Sequence, residues 1–143
     1  PSVDIRFIDL LKQLKINYVE KSSYPTIYYG GPVEHGRGFV VHSSDYSDSK
    51  TTVQINEYFC LTATLDIIND IAEGCGPLKR ILTLGCAGWA PGQLEHEISS
   101  DSWIVCDSNI ELLFETEYEK KWEKGLASLG IKPSHLSSFG GSA

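Results

Sequence analysis

The sequence predicts an α+β fold, and three observations carry that assignment. Short β-branched runs such as 80–84 (RILTL) read as buried strands. Apolar residues at helical spacing, such as Ile67, Ile68, Ile71 and Ala72, read as the buried side of a helix. The two kinds of segment are mixed without a clean βαβ repeat, so no doubly wound sheet is expected. At 143 residues the chain is read as one domain, 1–143, long enough to bury a real core.

In chain order, Ser2 is placed to cap a first helix, with Asp4 in its first turn. Phe7, Leu10, Leu11 and Leu14 form its stripe, Lys12 and Lys15 suit its negative end, and Asn17 closes it. Residues 26–29 read as a strand that stops at Gly30-Gly31-Pro32. Gly36 and Gly38 flank Arg37 ahead of a strand at 39–42; they match no phosphate-binding fingerprint and read as turns. The polar stretch 43–52 is a loop. Val53 and Ile55, then 58–61, form a hairpin about Asn56. Thr62 or Thr64 caps the next helix, which has Asp66 in its first turn and ends at Gly74.

The strand 80–84 runs into LGCAGWAPGQLEHE, residues 84–97. Gly85 and Gly88 turn the chain, and Pro91 suits the first position of a helix with Leu94 and Ile98 on one face. Two accounts of the corner 85–93 stand side by side. In the structural one the glycines only turn strand into helix, and Trp89 is a core plug whose loss to alanine costs ~3–5 kcal/mol. In the functional one Gly88, Trp89, Gly92 and Gln93 line a shallow site beside the free amides after Pro91. Gly92 would admit a ligand there and the helix dipole would favour an anion, although Glu95 and Glu97 oppose that charge.

Residues 102–106 read as another strand. Ser108-x-x-Glu111 and Thr116-x-x-Glu119 are capping-box patterns. They open a short turn ending near Phe114, then a helix with Tyr118, Trp122, Leu126 and Leu129 inward and Gly130 as its terminator. Residues 131–143 read as a surface tail.

Composition narrows function. Nineteen acids against 12 bases give a net charge of −7, which disfavours autonomous nucleic-acid binding. Lys120, Lys121 and Lys124 share a helix with Glu117, Glu119 and Glu123, a mixed solvated face. No apolar run reaches membrane-spanning length and no secretory signal is visible. Cys60, Cys75, Cys86 and Cys106 are too scattered for a zinc or dithiol site and fit reduced thiols in a cytoplasm, with Cys60 and Cys106 as strand fillers. His35, His42, His96 and His135 lack metal-ligand spacing and read as solvated or singly hydrogen-bonded. No metal and no cofactor is expected.

One further pattern is specific. GGPV at Gly30 to Val33, FVVH at Phe39 to His42, LT at Leu61-Thr62 and the corner follow one another in order. Ser102-Trp103, LLF at Leu112 to Phe114, Trp122, Leu129-Gly130 and a terminal G-x-A complete the series. In this the chain resembles the AlgH (or YqgE) family of largely uncharacterised bacterial proteins. The resemblance implies a mixed, partly barrel-like sheet surrounded by helices. It also implies that N-terminal strands are missing here, because a proline like Pro1 lies inside the family's chain. The family has an aromatic residue where Cys86 stands, and a histidine where Ser142 stands in the terminal motif.

The resemblance attaches no reaction. The function expected is a non-enzymatic cytoplasmic domain that binds a small ligand or a protein partner in a regulatory setting, with no catalytic residue. One alternative is an enzyme using the corner, with Cys86 as thiol nucleophile near a helix N-terminus and His96 ten residues on. Gly85-Cys86-Ala87-Gly88 lacks the spacing of a nucleophile elbow, however. Glu95, Glu97 and Glu111 are a weaker acid–base set, with nothing to fix their separation. A third reading is transcriptional regulation, which the family's name implies and the charge disfavours.

Overall fold

A five-stranded mixed sheet organises the first of two units, Pro1–Gly88. The computed structural model describes residues 1–19, 24–47 and 50–136. Strands β1 (Ile27–Tyr29), β2 (Val33–Ser43), β3 (Thr52–Gln54), β4 (Phe59–Thr62) and β5 (Arg80–Cys86) lie in the order β1-β5-β2-β4-β3. β1 is parallel to β5, with Ile27 opposite Leu82, and the other pairs are antiparallel. The α+β class is as the sequence predicts and the mixed sheet is as the family resemblance implies; the sheet is open, with β1 and β3 at its edges.

Helices α1 (Phe7–Gln13) and α2 (Leu65–Glu73) supply one side of the core. Phe7 and Leu11 of α1 and Ile67, Ile68, Ile71 and Ala72 of α2 meet Ile27, Val40 and Leu82 of the sheet. The four α2 residues are those the stripe predicts. Gly74 ends α2 in the left-handed region, at φ 87°. Thr64 is the N-cap residue of α2 but makes no side-chain capping bond. The hairpin turns on Asn56, whose Oδ1 accepts the Tyr58 and Phe59 amides at 2.9 and 3.0 Å.

Three expectations for this unit are corrected. Ser2 does not cap α1, which starts at Phe7 and stops at Gln13, short of Asn17. The first residues instead serve the open edge of β1: Val3 N–H donates to Ile27 O, and Tyr29 N–H to Pro1 O. Edge amides left unpaired would cost more than a missing cap contributes. Gly36 and Gly38 are not turns; they lie inside β2, where the register against β5 shifts between Val33 and Gly38. His42 is neither solvated nor singly bonded. It is buried, with Nδ1 2.8 Å from Ser43 O and Nε2 2.8 Å from Thr62 Oγ1. A carbonyl only accepts, so neutral His42 carries its proton on Nδ1 and takes a bond from Thr62 on Nε2.

Glycine is required where β1 ends. A Cβ on Gly31 would stand 2.3 Å from the Cys86 carbonyl carbon and 2.5 Å from the Ala87 nitrogen, and one on Gly30 would stand 2.2 Å from Gly85 O. The chain leaves β1 in backbone-to-backbone contact with the end of β5, which only glycine permits.

The second unit, Trp89–Ala143, holds α3 (Gln93–Ser99), a π turn at Glu111–Glu115, α4 (Tyr118–Ser128) and a 3-10 turn at Pro133–His135. Residues 102–106 are not a strand: none of them pairs with a described strand, so Cys106 is no strand filler. Both capping boxes fail too. Asn109, not Ser108, caps the π turn by accepting the Leu112 amide at 2.7 Å. Thr116 is buried with its amide and hydroxyl donating to Glu111 O, and α4 begins at Tyr118 with Glu117 as its N-cap residue and no side-chain capping bond.

Among the described residues of this unit, Leu126 is the only buried apolar side chain. Tyr118, Trp122 and Leu129, predicted inward, are exposed, because a stripe is buried only where a second layer covers it. Gly130 terminates the helical turn at φ 72°. Of the predicted tail, residues 137–143, Ser142 included, lie outside the described residues.

Candidate functional site

The corner is built differently from either account of it. Gly85 takes φ 78° as β5 ends. Gly88 is exposed, a Cβ there would meet nothing within 4 Å, and it is the last residue of the first unit. Trp89, Gly92 and Gln93 belong to the second unit and are described together. Pro91 is not the first helical residue. Ala90 to Gln93 form a hydrogen-bonded turn, Gln93 N–H to Ala90 O at 3.0 Å, with Gly92 at φ 78°, ψ −8°. Those angles with proline before them are a type II turn, and the third residue of such a turn favours glycine. The helix therefore starts at Gln93, and the Gln93 amide counted as free is already used.

Trp89 is not a core plug. It is 38 % exposed, and its indole Nε1 donates to Glu97 Oε2 at 3.0 Å. Trp103, 51 % exposed, donates to the same oxygen at 2.7 Å. The two rings meet edge to face, centroids 5.9 Å apart at 74°, a favoured aromatic arrangement. Gln93 completes the set: its Nε2 donates to Glu97 Oε1 at 3.0 Å, and its Oε1 accepts the Ala90 amide at 3.0 Å. One carboxylate thus holds two indoles and an amide. These donors, Trp103 first, then Trp89 and Gln93, hold the Glu97 carboxyl below its ordinary value.

Sequence reasoning named Trp89 and Gln93, took Glu97 as a hindrance to an anion or a member of a weak acid–base set, and left Trp103 in a strand. The Gln93–Glu97 spacing of four was a legible sign of a helical pair. The Trp103 contact had no local sign. Cys86, the alternative nucleophile, has Glu34 as its polar partner, with Sγ 3.8 Å from Oε2. Among the described residues no cluster of three metal-ligating side chains occurs. No helix there is long and apolar enough to cross a membrane.

Comparison with known proteins bears on this arrangement. The AlgH-like family pattern matches residues 1–134. The chain belongs to that family. A UPF0301 protein of Bradyrhizobium diazoefficiens is 44 % identical over 150 residues, covering 100 % of this chain and 70 % of the relative. A UPF0301 protein of Rhizobium meliloti is 48 % identical over 117 residues, 82 % of this chain and 58 % of its own length. Among solved structures, the solution structure of the AlgH protein from Pseudomonas aeruginosa superposes with a TM-score of 0.76 at 34 % identity. That match covers 99 % of this chain and 75 % of the other. Membership gives this AlgH-like chain a fold and relatives; the names of the three proteins compared above state no reaction.

Proposed function

We propose that this AlgH-like chain is a non-catalytic binding domain of a cytoplasmic regulatory protein, and that it meets a protein partner at the second unit's side of the corner, through Trp89, Gly92, Gln93 and Trp103. The observation that carries the reading is the exposure of the indoles. All three tryptophans of the sequence lie in the second unit, at 38, 51 and 59 % exposure. Tryptophan is enriched at the centres of protein interfaces, where it supplies large area from few rotors. Glu97 already holds two of the rings, so little side-chain freedom remains to be lost on contact. The exposed ring faces and the net charge of −7 favour a partner with basic side chains, which stack on indole.

The test is affinity capture from a bacterial extract with wild type, Trp103→Ala and Leu78→Ala, each checked by thermal melting. Leu78 is an exposed apolar residue of the first unit and serves as the control. The reading expects a partner that Trp103→Ala loses and Leu78→Ala keeps. The same capture by all three proteins would remove the corner from the interface.

A further inference from the structure

The second unit contains a groove of about 430 Å³ between helix α4, the π turn and the segment at Ile104. Its size is that of a small-molecule site. Ile104, Leu112, Leu113, Trp122 and Leu126 make the walls apolar. The groove is held open by local structure. The i→i+5 bond from Thr116 N–H to Glu111 O, with the Thr116 hydroxyl on the same oxygen, widens the turn that carries Leu112 and Leu113. Single π turns recur at functional sites.

Gly125 is a second device. Glycine inside a helix costs about 1 kcal/mol relative to alanine. Nothing in the packing demands it, since a Cβ there would meet only Cys106 Sγ at 3.7 Å, an ordinary contact. What Gly125 does is leave the groove without a side chain on that stretch of wall.

The groove has one cation. Lys120 pairs with Glu117 and Lys124 with Glu111, but Lys121 has no carboxylate partner among the described residues. Its half-buried Nζ donates to Leu113 O, which leaves two of its three donors. Burial pulls its pKa below the ordinary lysine value, the sign of a charge lacking compensation. Glu119 also lines the groove and would repel a second negative charge.

We propose that this groove binds a monocarboxylic acid with an apolar body, its carboxylate on Lys121 Nζ and its body along Trp122, Leu112 and Leu113. This site is independent of the tryptophan pair at the corner, and either reading can fail without the other. The test uses the intact 15N-labelled chain titrated with decanoate, with decanol as its uncharged counterpart and decanedioate as the doubly charged one. Decanoate is expected to shift the Trp122 indole N–H saturably, at about 10–100 μM, leaving those of Trp89 and Trp103 in place. Lys121→Gln should weaken decanoate about tenfold or more and leave decanol unchanged. Gly125→Leu should fill the groove and abolish binding of both, with its melting temperature reported alongside. Should Gly125→Leu fail to fold, Lys121→Gln and the decanol comparison decide. The proposal is overturned if decanoate does not saturate below about 1 mM, if decanol or decanedioate binds as tightly, or if Lys121→Gln binds decanoate like wild type.

Discussion

Replacing Gly31 by alanine tests the account of the first unit most directly. The added methyl would stand 2.3 Å from both the carbonyl carbon and oxygen of Cys86 and 2.5 Å from the Ala87 nitrogen. All three are backbone atoms, so no side chain can swing aside. Either the end of β1 moves away from β5 or the peptide after Cys86 rotates, and the first breaks a parallel pairing of only three residue pairs. Overpacking costs typically 1–3 kcal/mol where side chains yield. With backbone on the other side the upper end applies, about 3 kcal/mol, or roughly 10 °C in melting temperature for a chain of this length. Gly36 is the internal control. It lies on the same stretch of chain, outside the left-handed region, with nothing within 4 Å of its Cβ position. Gly36→Ala should be neutral or stabilising by up to about 1 kcal/mol, by restricting the unfolded chain. Thermal melting by circular dichroism reads both variants. Equal melting temperatures for Gly31→Ala and Gly36→Ala would refute the close-approach argument.

Three further outcomes follow from particular side chains. His42 should show the Nδ1-protonated tautomer in its neutral form, read from long-range 1H–15N correlation of the ring; an Nε2–H signal would contradict the bond to Ser43 O. Glu97 has a folded pKa below the ordinary glutamate value of 4.5. Its contribution to holding the indoles is therefore complete above that value and is lost as pH falls through its own lower pKa. Tryptophan emission from Trp89 and Trp103 should hold steady down to about pH 4.5 and change only below it, a transition absent in Glu97→Gln; a change centred above that value would be the wrong sign. Among the cysteines, exposed Cys75 should react with a thiol reagent first and buried Cys60 only on unfolding; the reverse order, read by mass spectrometry, would contradict the packing of β4.

What the sequence determined by itself is local or periodic. The buried side of α2, the Gly74 terminator, the Asn56 hairpin and the strand at 80–84 were legible because each depends on residues within one or two turns of each other. The family was legible for a related reason: short motifs in fixed order survive without knowledge of how they pack. At the candidate site, Trp89 and Gln93 were marked by the glycine- and proline-rich corner around them. Tertiary structure decided the rest. Ser2 carries a good capping side chain, yet the unpaired edge of β1 claims its segment. Residues 102–106 look like a strand, but a strand needs a neighbour, and no described strand stands beside them. The stripe on α4 has a helical period, but period says which residues share a face, and only an opposing layer decides whether that face is buried. Glu97 read only as a charge opposing an anion or a weak acid–base candidate, whereas Trp103, six residues away through an irregular segment, brings a second indole to its oxygen. A carboxylate's role depends on which donors reach it, and reach is a property of the folded chain.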